Sequence, residues 1–135
     1  MVVALAAGVL VLPTMATAKT TTLKGGVKGD SNSKVVVKVT TNAKGLPLTL
    51  KSFEFKGVDS ECGADVNGVV KNVDVDPNLH FVGFDNEGNE SDAYQVRGDI
   101  HRKSKKITNG EIELFLTDEN GDLETNCGEV KYSAN

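Results

Sequence analysis

Two histidines, two cysteines and three acidic loops hold most of the side chains in this chain that could do chemistry. His80 and His101 titrate nearest to neutral pH, so each is a candidate general base or metal ligand. Ser91 with Asp92, and Asp99 near His101, offer the remaining members of a hydrolytic triad. A triad is defined by geometry, however, and nothing in these spacings assembles one. Glu111 and Glu113 form a carboxylate pair of the kind glycosidases use. They alternate with Ile112 and Leu114, which places them on the outward face of a strand.

The acidic loops Asp74–Asn78, Asp85–Asp92 and Asp118–Asp122 gather oxygen donors of the type calcium takes. Asp118, Asn120 and Asp122 come nearest to a calcium-loop pattern, but Gly121 falls too early in it. Asp, Asn and Gly also build tight turns, because they bond their own backbone and tolerate left-handed conformations. The turn reading is preferred, and no metal or other cofactor is expected. His101-Arg102-Lys103-Ser104-Lys105-Lys106 is the one basic run. It could touch a polyanion. No aromatic residue interleaves with it and the formal net charge is −4, so nucleic acid is not an expected partner. Asn89-Glu90-Ser91 matches a glycosylation sequon, which matters only in a secreted eukaryotic protein.

The cysteines take their meaning from the head of the chain. Met1 to Ala18 carries no charge, and all 34 charged residues lie in the other 117. Val2 to Leu12 is an apolar run, broken by Pro13 and followed by Ala16-Thr17-Ala18. A small-x-small site after such a run predicts a signal peptide over residues 1–18, cut after Ala18. The basic residues that usually precede the run are missing, as expected of a leader whose own start lies upstream. A membrane-spanning helix needs about 20 apolar residues, and Pro13 shortens this run. In an exported chain, an even pair of cysteines predicts one structural disulfide, Cys62–Cys127. The rival readings are a metal pair or a reactive thiol, but neither cysteine lies in a CxxC motif or beside a histidine.

The elements that must position these groups read as strands. Alternating, β-branched segments recur between Gly, Asn and Asp turns. They run from Thr21 to Val27, Lys34 to Thr40, Leu46 to Phe55, Val69 to Val75, Leu79 to Phe84, Ala93 to His101, Ile107 to Leu116 and Gly128 to Ser133. Lys56 to Gly68 is less regular. Leu48 and Leu50 sit on one phase of their strand, and Phe53 and Phe55 on the other. A bulge near Lys51-Ser52 would bring both pairs inward. No sustained helical period appears after the head.

The pattern from Gly26-Val27 through Val35–Val39, Phe53-Glu54-Phe55-Lys56-Gly57-Val58 and Cys62 continues in Phe81-Val82-Gly83-Phe84, Val96-Arg97-Gly98-Asp99-Ile100, Ile107-Thr108-Asn109-Gly110-Glu111-Ile112 and Cys127-Gly128-Glu129-Val130-Lys131-Tyr132-Ser133-Ala134. It resembles small, secreted bacterial β-sandwich-like proteins of no settled activity. The resemblance implies an exported β domain with a Cys pair, and no activity.

The sequence therefore predicts one all-β domain over residues 19–135. It is an antiparallel β-sandwich or barrel-like domain of about eight strands. The expected protein is secreted, periplasmic or extracellular, monomeric, and without a membrane span after cleavage. Its expected role is non-enzymatic, binding or structural, toward an extracellular ligand or protein, with no catalytic residue assigned. The alternatives are a secreted hydrolase, an inhibitor of an extracellular enzyme, and a calcium-stabilised adhesion domain. Loops carry function in such folds. The expected binding surface joins Asp85, Asn86, Glu87 and Asp92 to Arg102 and Lys103.

Overall fold

A computed structural model of the protein describes residues 18–85 and 92–135, without the side chains of Ala64 and Asp92. The expected leader, up to Thr17, lies outside the described residues. The described chain is all-β and antiparallel, with no helix. Its strands are β1 (Lys19–Val27), β2 (Lys34–Thr41), β3 (Pro47–Ser60), β4 (Gly63–Asp74), β5 (His80–Asp85), β6 (Asp92–Ile100), β7 (Ile107–Thr117) and β8 (Leu123–Ala134).

The sheet order is β4-β3-β2-β1-β8-β7-β6-β5. Every strand therefore lies beside its neighbours in sequence, and β1 meets β8 through Gly25↔Ala134 to Val27↔Tyr132. A single bridge, Val75↔Phe81, connects the two remaining edges at the β4–β5 turn. The result is a nearly closed, barrel-like sheet. One rim, here called proximal, carries the start of β1 and the turns at 42–46, 75–79 and 101–106. The distal rim carries the turns at 28–33, 61–62 and 118–122.

Three turns share one construction. Asn42 Oδ1 accepts from the backbone N–H groups of Lys44 and Leu46. Asp76 does the same for Asn78 and His80, and Asp118 for Asn120 and Asp122. The residue three places on is left-handed in each: Gly45, Leu79 and Gly121, at φ 75°, 63° and 81°. A short polar side chain thus replaces the water that a turn backbone would otherwise bind.

Alternation fills the inside. Val35, Val37 and Val39, Phe53 and Phe55, Phe81, Val96, Ile112 and Leu114 are buried. Phe53 packs edge-on to Tyr132 at 5.1 Å, and Phe55 packs likewise on Tyr94 at 5.0 Å. Ring pairs in this geometry add to the gain from burying their area. The β2–β3 register shifts at Lys38/Val39, which is the expected bulge, with Lys51 as the extra residue. It turns Leu50, Phe53 and Phe55 inward together. Leu48 does not follow and is 44% exposed, because a second shift at Thr40/Thr41 buries Pro47 instead.

The irregular stretch of the sequence is the tip of the long β3–β4 hairpin. It reaches past the β1–β2 turn, where Gly57 lies against Asn32, to the middle of β8. There the Glu61 N–H donates to Cys127 O at 2.9 Å. The Cys62–Cys127 disulfide fixes this contact, with Cα atoms 5.1 Å apart. Cys62 is exposed and Cys127 buried.

Candidate functional site

Among the described residues, packed rings and valines occupy the interior where larger barrels offer a ligand cup. Chemistry is left to the outer face and to the seam between β4 and β5.

On the outer face, β5 and β6 bring His80 opposite Asp99. A carboxylate only accepts, so His80 Nδ1 donates to Asp99 Oδ1, at 2.9 Å. Asn109 Nδ2 donates to Asp99 Oδ2 at 2.9 Å. Asn109 has φ 51°, next to a break in the β7–β8 register. The Asn109 amide first, and His80 second, hold the Asp99 carboxyl below its ordinary pKa. His101 lies apart from this pair, with Nε2 3.0 Å from Thr108 Oγ1. One strand repeat further on, Arg97 is paired with Glu111 and, at 3.2 Å, with Glu129. The Glu111 hydrogen bond raises the Arg97 pKa further. Glu113 is held by Asn126 Nδ2 at 3.0 Å. Glu111 lines the shallow hollow on this face and Glu113 does not, so the two carboxylates do not face one another across a cleft.

A shallow hollow of about 400 Å³ lies over His80, Val82, Arg97, Asp99, Asn109 and Lys131. No Ser, Thr or Cys lines it; the hydroxyl opposite Asp99 in the β6–β7 register, that of Thr108, is engaged by His101. Asp99 takes His80 as its partner. The cross-strand register β5–β6 decides this, and sequence distance does not carry it.

The larger cleft, about 780 Å³, lies along the seam. Its walls include Glu54, Lys56, Asn67, Val69, Phe84 and Tyr94. β4 pairs with β3 on one side. On the other side, residues 63–72 have no strand partner among the described residues. One side chain spans the gap: the Val69 N–H donates to Tyr94 Oη at 3.1 Å. The hydroxyl proton of Tyr94 faces Val69 O at 3.4 Å and the Asp85 carboxylate at 3.3 Å. Gly68 makes this approach possible, because a Cβ there would lie 2.6 Å from the rings of Phe55 and Tyr94. Phe84 is 48% exposed and Val69 37% exposed at the mouth of the cleft. Sequence reasoning missed Phe84 and Val69 as surface residues, because their types argue for the core.

The expected binding surface does not form as one. Asp85 is at the distal end of β5, whereas Arg102 and Lys103 lie in the proximal turn after β6. With Asp85 opposite Tyr94, the separation is eight residues of extended chain, about 25 Å. Asn86 and Glu87 lie outside the described residues, as does the Asp92 side chain. Of the calcium candidates, Asp118 Oδ1 is engaged by two backbone N–H groups, while Asn120 and Asp122 are exposed. On the distal rim, the Asp59 carboxyl is held above its ordinary pKa by a hydrogen bond with Asp65 and the charges of Asp30 and Asp65. No helix among the described residues is long and apolar enough to cross a membrane.

No protein family model, no curated protein and no solved structure matches the chain.

Proposed function

We propose that the protein is an exported, non-enzymatic binding module that takes an extended segment of a partner protein along the β4–β5 seam. The supporting observation is the β4 edge from residue 63 to 72, which lines the larger cleft with no strand beside it among the described residues. Strand edges offer N–H and C=O groups in the spacing an extended peptide needs, and side-chain pockets then select its sequence. Phe84 and Val69 supply apolar contact at the mouth of the cleft, and Lys71 and Asn72 polar contact further along β4. The exported setting rests on the leader-like head and on the cysteine pair. The resemblance to small secreted bacterial β-sandwich-like proteins agrees with it.

The test is selection of peptides from a displayed random library, followed by binding to Val69→Pro. The Val69 N–H points into the seam and takes no part in the β3 ladder. Proline there removes an edge donor and leaves the sheet paired. Selected peptides should lose at least tenfold in affinity, about the weight of one charge-free edge hydrogen bond with its register. Peptides that bind Val69→Pro as well as the parent would place the partner elsewhere.

A further inference from the structure

The charged residues are sorted along the axis of the sheet. The proximal rim exposes Lys19, Lys44, Arg102, Lys103 and Lys106. Among the described residues, none of them has a carboxylate within ion-pair distance. The acids near this rim are Asp74 at the end of β4, Asp76, which caps the backbone of the β4–β5 turn, and Asp99 near the end of β6, which is paired with His80, so the cations outnumber them. The distal rim is acidic on balance: Asp59, Glu61 and Asp65 on one hairpin, Asp118, Glu119 and Asp122 on another and Asp30 on a third outnumber Lys28 and Lys34.

One residue draws the cations together. Lys105 has φ 58°, a conformation that side-chain-bearing residues adopt at a cost. From there Lys105 Nζ donates to Gly45 O, in the β2–β3 turn, and to Arg102 O, in its own turn. Two hairpin turns far apart in sequence are thereby joined into one cationic cap. A glycine at 105 would serve the backbone better, so the lysine is explained by the tie it makes. The two clefts lie on the flank of the sheet and include no residue of either turn. A thread-like polyanion is held best in a groove, whereas a cationic end that borders neither cleft suits a plane. Leu48, exposed at the start of β3, adds an apolar side chain near the same rim.

We propose that the proximal rim docks on the surface of a bilayer containing anionic phospholipid, with the acidic rim pointing away. Basic residues near such a surface each contribute about fivefold in affinity, and the attraction fades within a Debye length. The like-charged distal rim is repelled, so the field also orients the molecule.

The test is co-sedimentation of the full chain with phosphatidylcholine vesicles, with and without phosphatidylglycerol, at low and high salt. The apolar head is common to every sample, so only differences between samples count. Binding should require phosphatidylglycerol and fall with salt. Arg102→Glu/Lys103→Glu/Lys106→Glu should weaken it by about a hundredfold or more. Lys28→Glu/Lys34→Glu/Lys56→Glu, with the same change in net charge away from this rim, should leave it within about twofold of the parent. Lys105→Gly should keep the fold, by circular dichroism, and weaken binding because the two turns separate. Equal binding to both vesicle types, or equal loss from both triple variants, overturns the proposal. So does binding of soluble polyphosphate or RNA without binding of vesicles, which would assign the cap to a polymer. Seam peptides should bind the Arg102→Glu/Lys103→Glu/Lys106→Glu variant normally, so this proposal and the seam reading fail separately.

Discussion

Removal of the cross-link is the sharpest perturbation of the fold. Cys62 is exposed and Cys127 buried, so Cys62→Ser/Cys127→Ala deletes the bond with little change in polarity at either site. The bond joins residues 65 apart. Chain entropy for a loop of that length gives about 4 kcal/mol of stabilisation through the unfolded state. A domain of this size loses about 4 °C of melting temperature per kcal/mol, so the double variant should melt about 15 °C lower. Its urea m-value should rise, because the open unfolded chain exposes more surface. The assay is reversible thermal and urea unfolding followed by circular dichroism, on the double variant and on the parent with and without reductant. Reduced parent and double variant should coincide. A double variant within about 1 kcal/mol of the oxidised parent would refute the entropic reasoning. The contacts of the hairpin tip with β8, such as Glu61 N–H to Cys127 O, would then carry the closure alone.

Other outcomes follow from the same structure. Gly25→Ala should cost about 3 kcal/mol or more in urea unfolding, because a Cβ there runs into the β8 backbone at Ser133, where β1 and β8 close the sheet. Tyr132→Phe should cost about 1 kcal/mol, through loss of the 3.0 Å hydrogen bond from its hydroxyl to Arg97 O. In the parent, burial pushes the Tyr132 phenol well above its ordinary pKa, so an ultraviolet pH titration should find this tyrosine silent until the protein unfolds. Asp99, with its pKa lowered first by Asn109 and then by His80, contributes stability above the ordinary carboxylate range that is lost as pH falls through its folded value. Asn109→Ala should shrink that acid-side loss in melts taken across pH. Asp59 has the opposite sign: its raised pKa means stability is lost as pH rises through the carboxylate range. Asp59→Asn should therefore raise the melting temperature at neutral pH and have no effect in acid.

The strands were legible where alternation is unbroken. Val35, Val37 and Val39 on β2, and Ile112 and Leu114 on β7, take the inward faces their period assigns. The Lys51 bulge could also be read, because an apolar pair on each phase of one strand has few other solutions. The tip of the β3–β4 hairpin could not. Gly57 sits at φ 65° beside a register break, so Val58 is buried out of phase and the alternation ends before the strand does. β8 was read as starting at Gly128, although it pairs from Leu123. Its first four residues are all exposed, so no period marks them. The candidate sites were less legible still. His80 with Asp99, and Tyr94 with Val69, depend on which strands become neighbours, and a single sequence does not carry register between distant segments. Lys105 was read as one cation in a basic run. Its left-handed backbone and its tie to Gly45 belong to the fold alone.

The closure of β1 on β8 also sets how the protein answers to force. β1 enters it and β8 leaves it on the proximal side, where Lys24 and Asn135 exchange backbone hydrogen bonds of 2.9 and 3.0 Å. Tension on the two ends would peel these strands apart one bond at a time, without shearing the ladder as a block. Extension would then stop at the disulfide, because everything between Cys62 and Cys127 is excluded from the load path. Counted from Lys19, about 50 residues outside the loop can pay out, roughly 180 Å of chain, against roughly 400 Å if the bond were reduced. Stretched between two surfaces, the molecule would be a soft spring with a hard, redox-controlled stop.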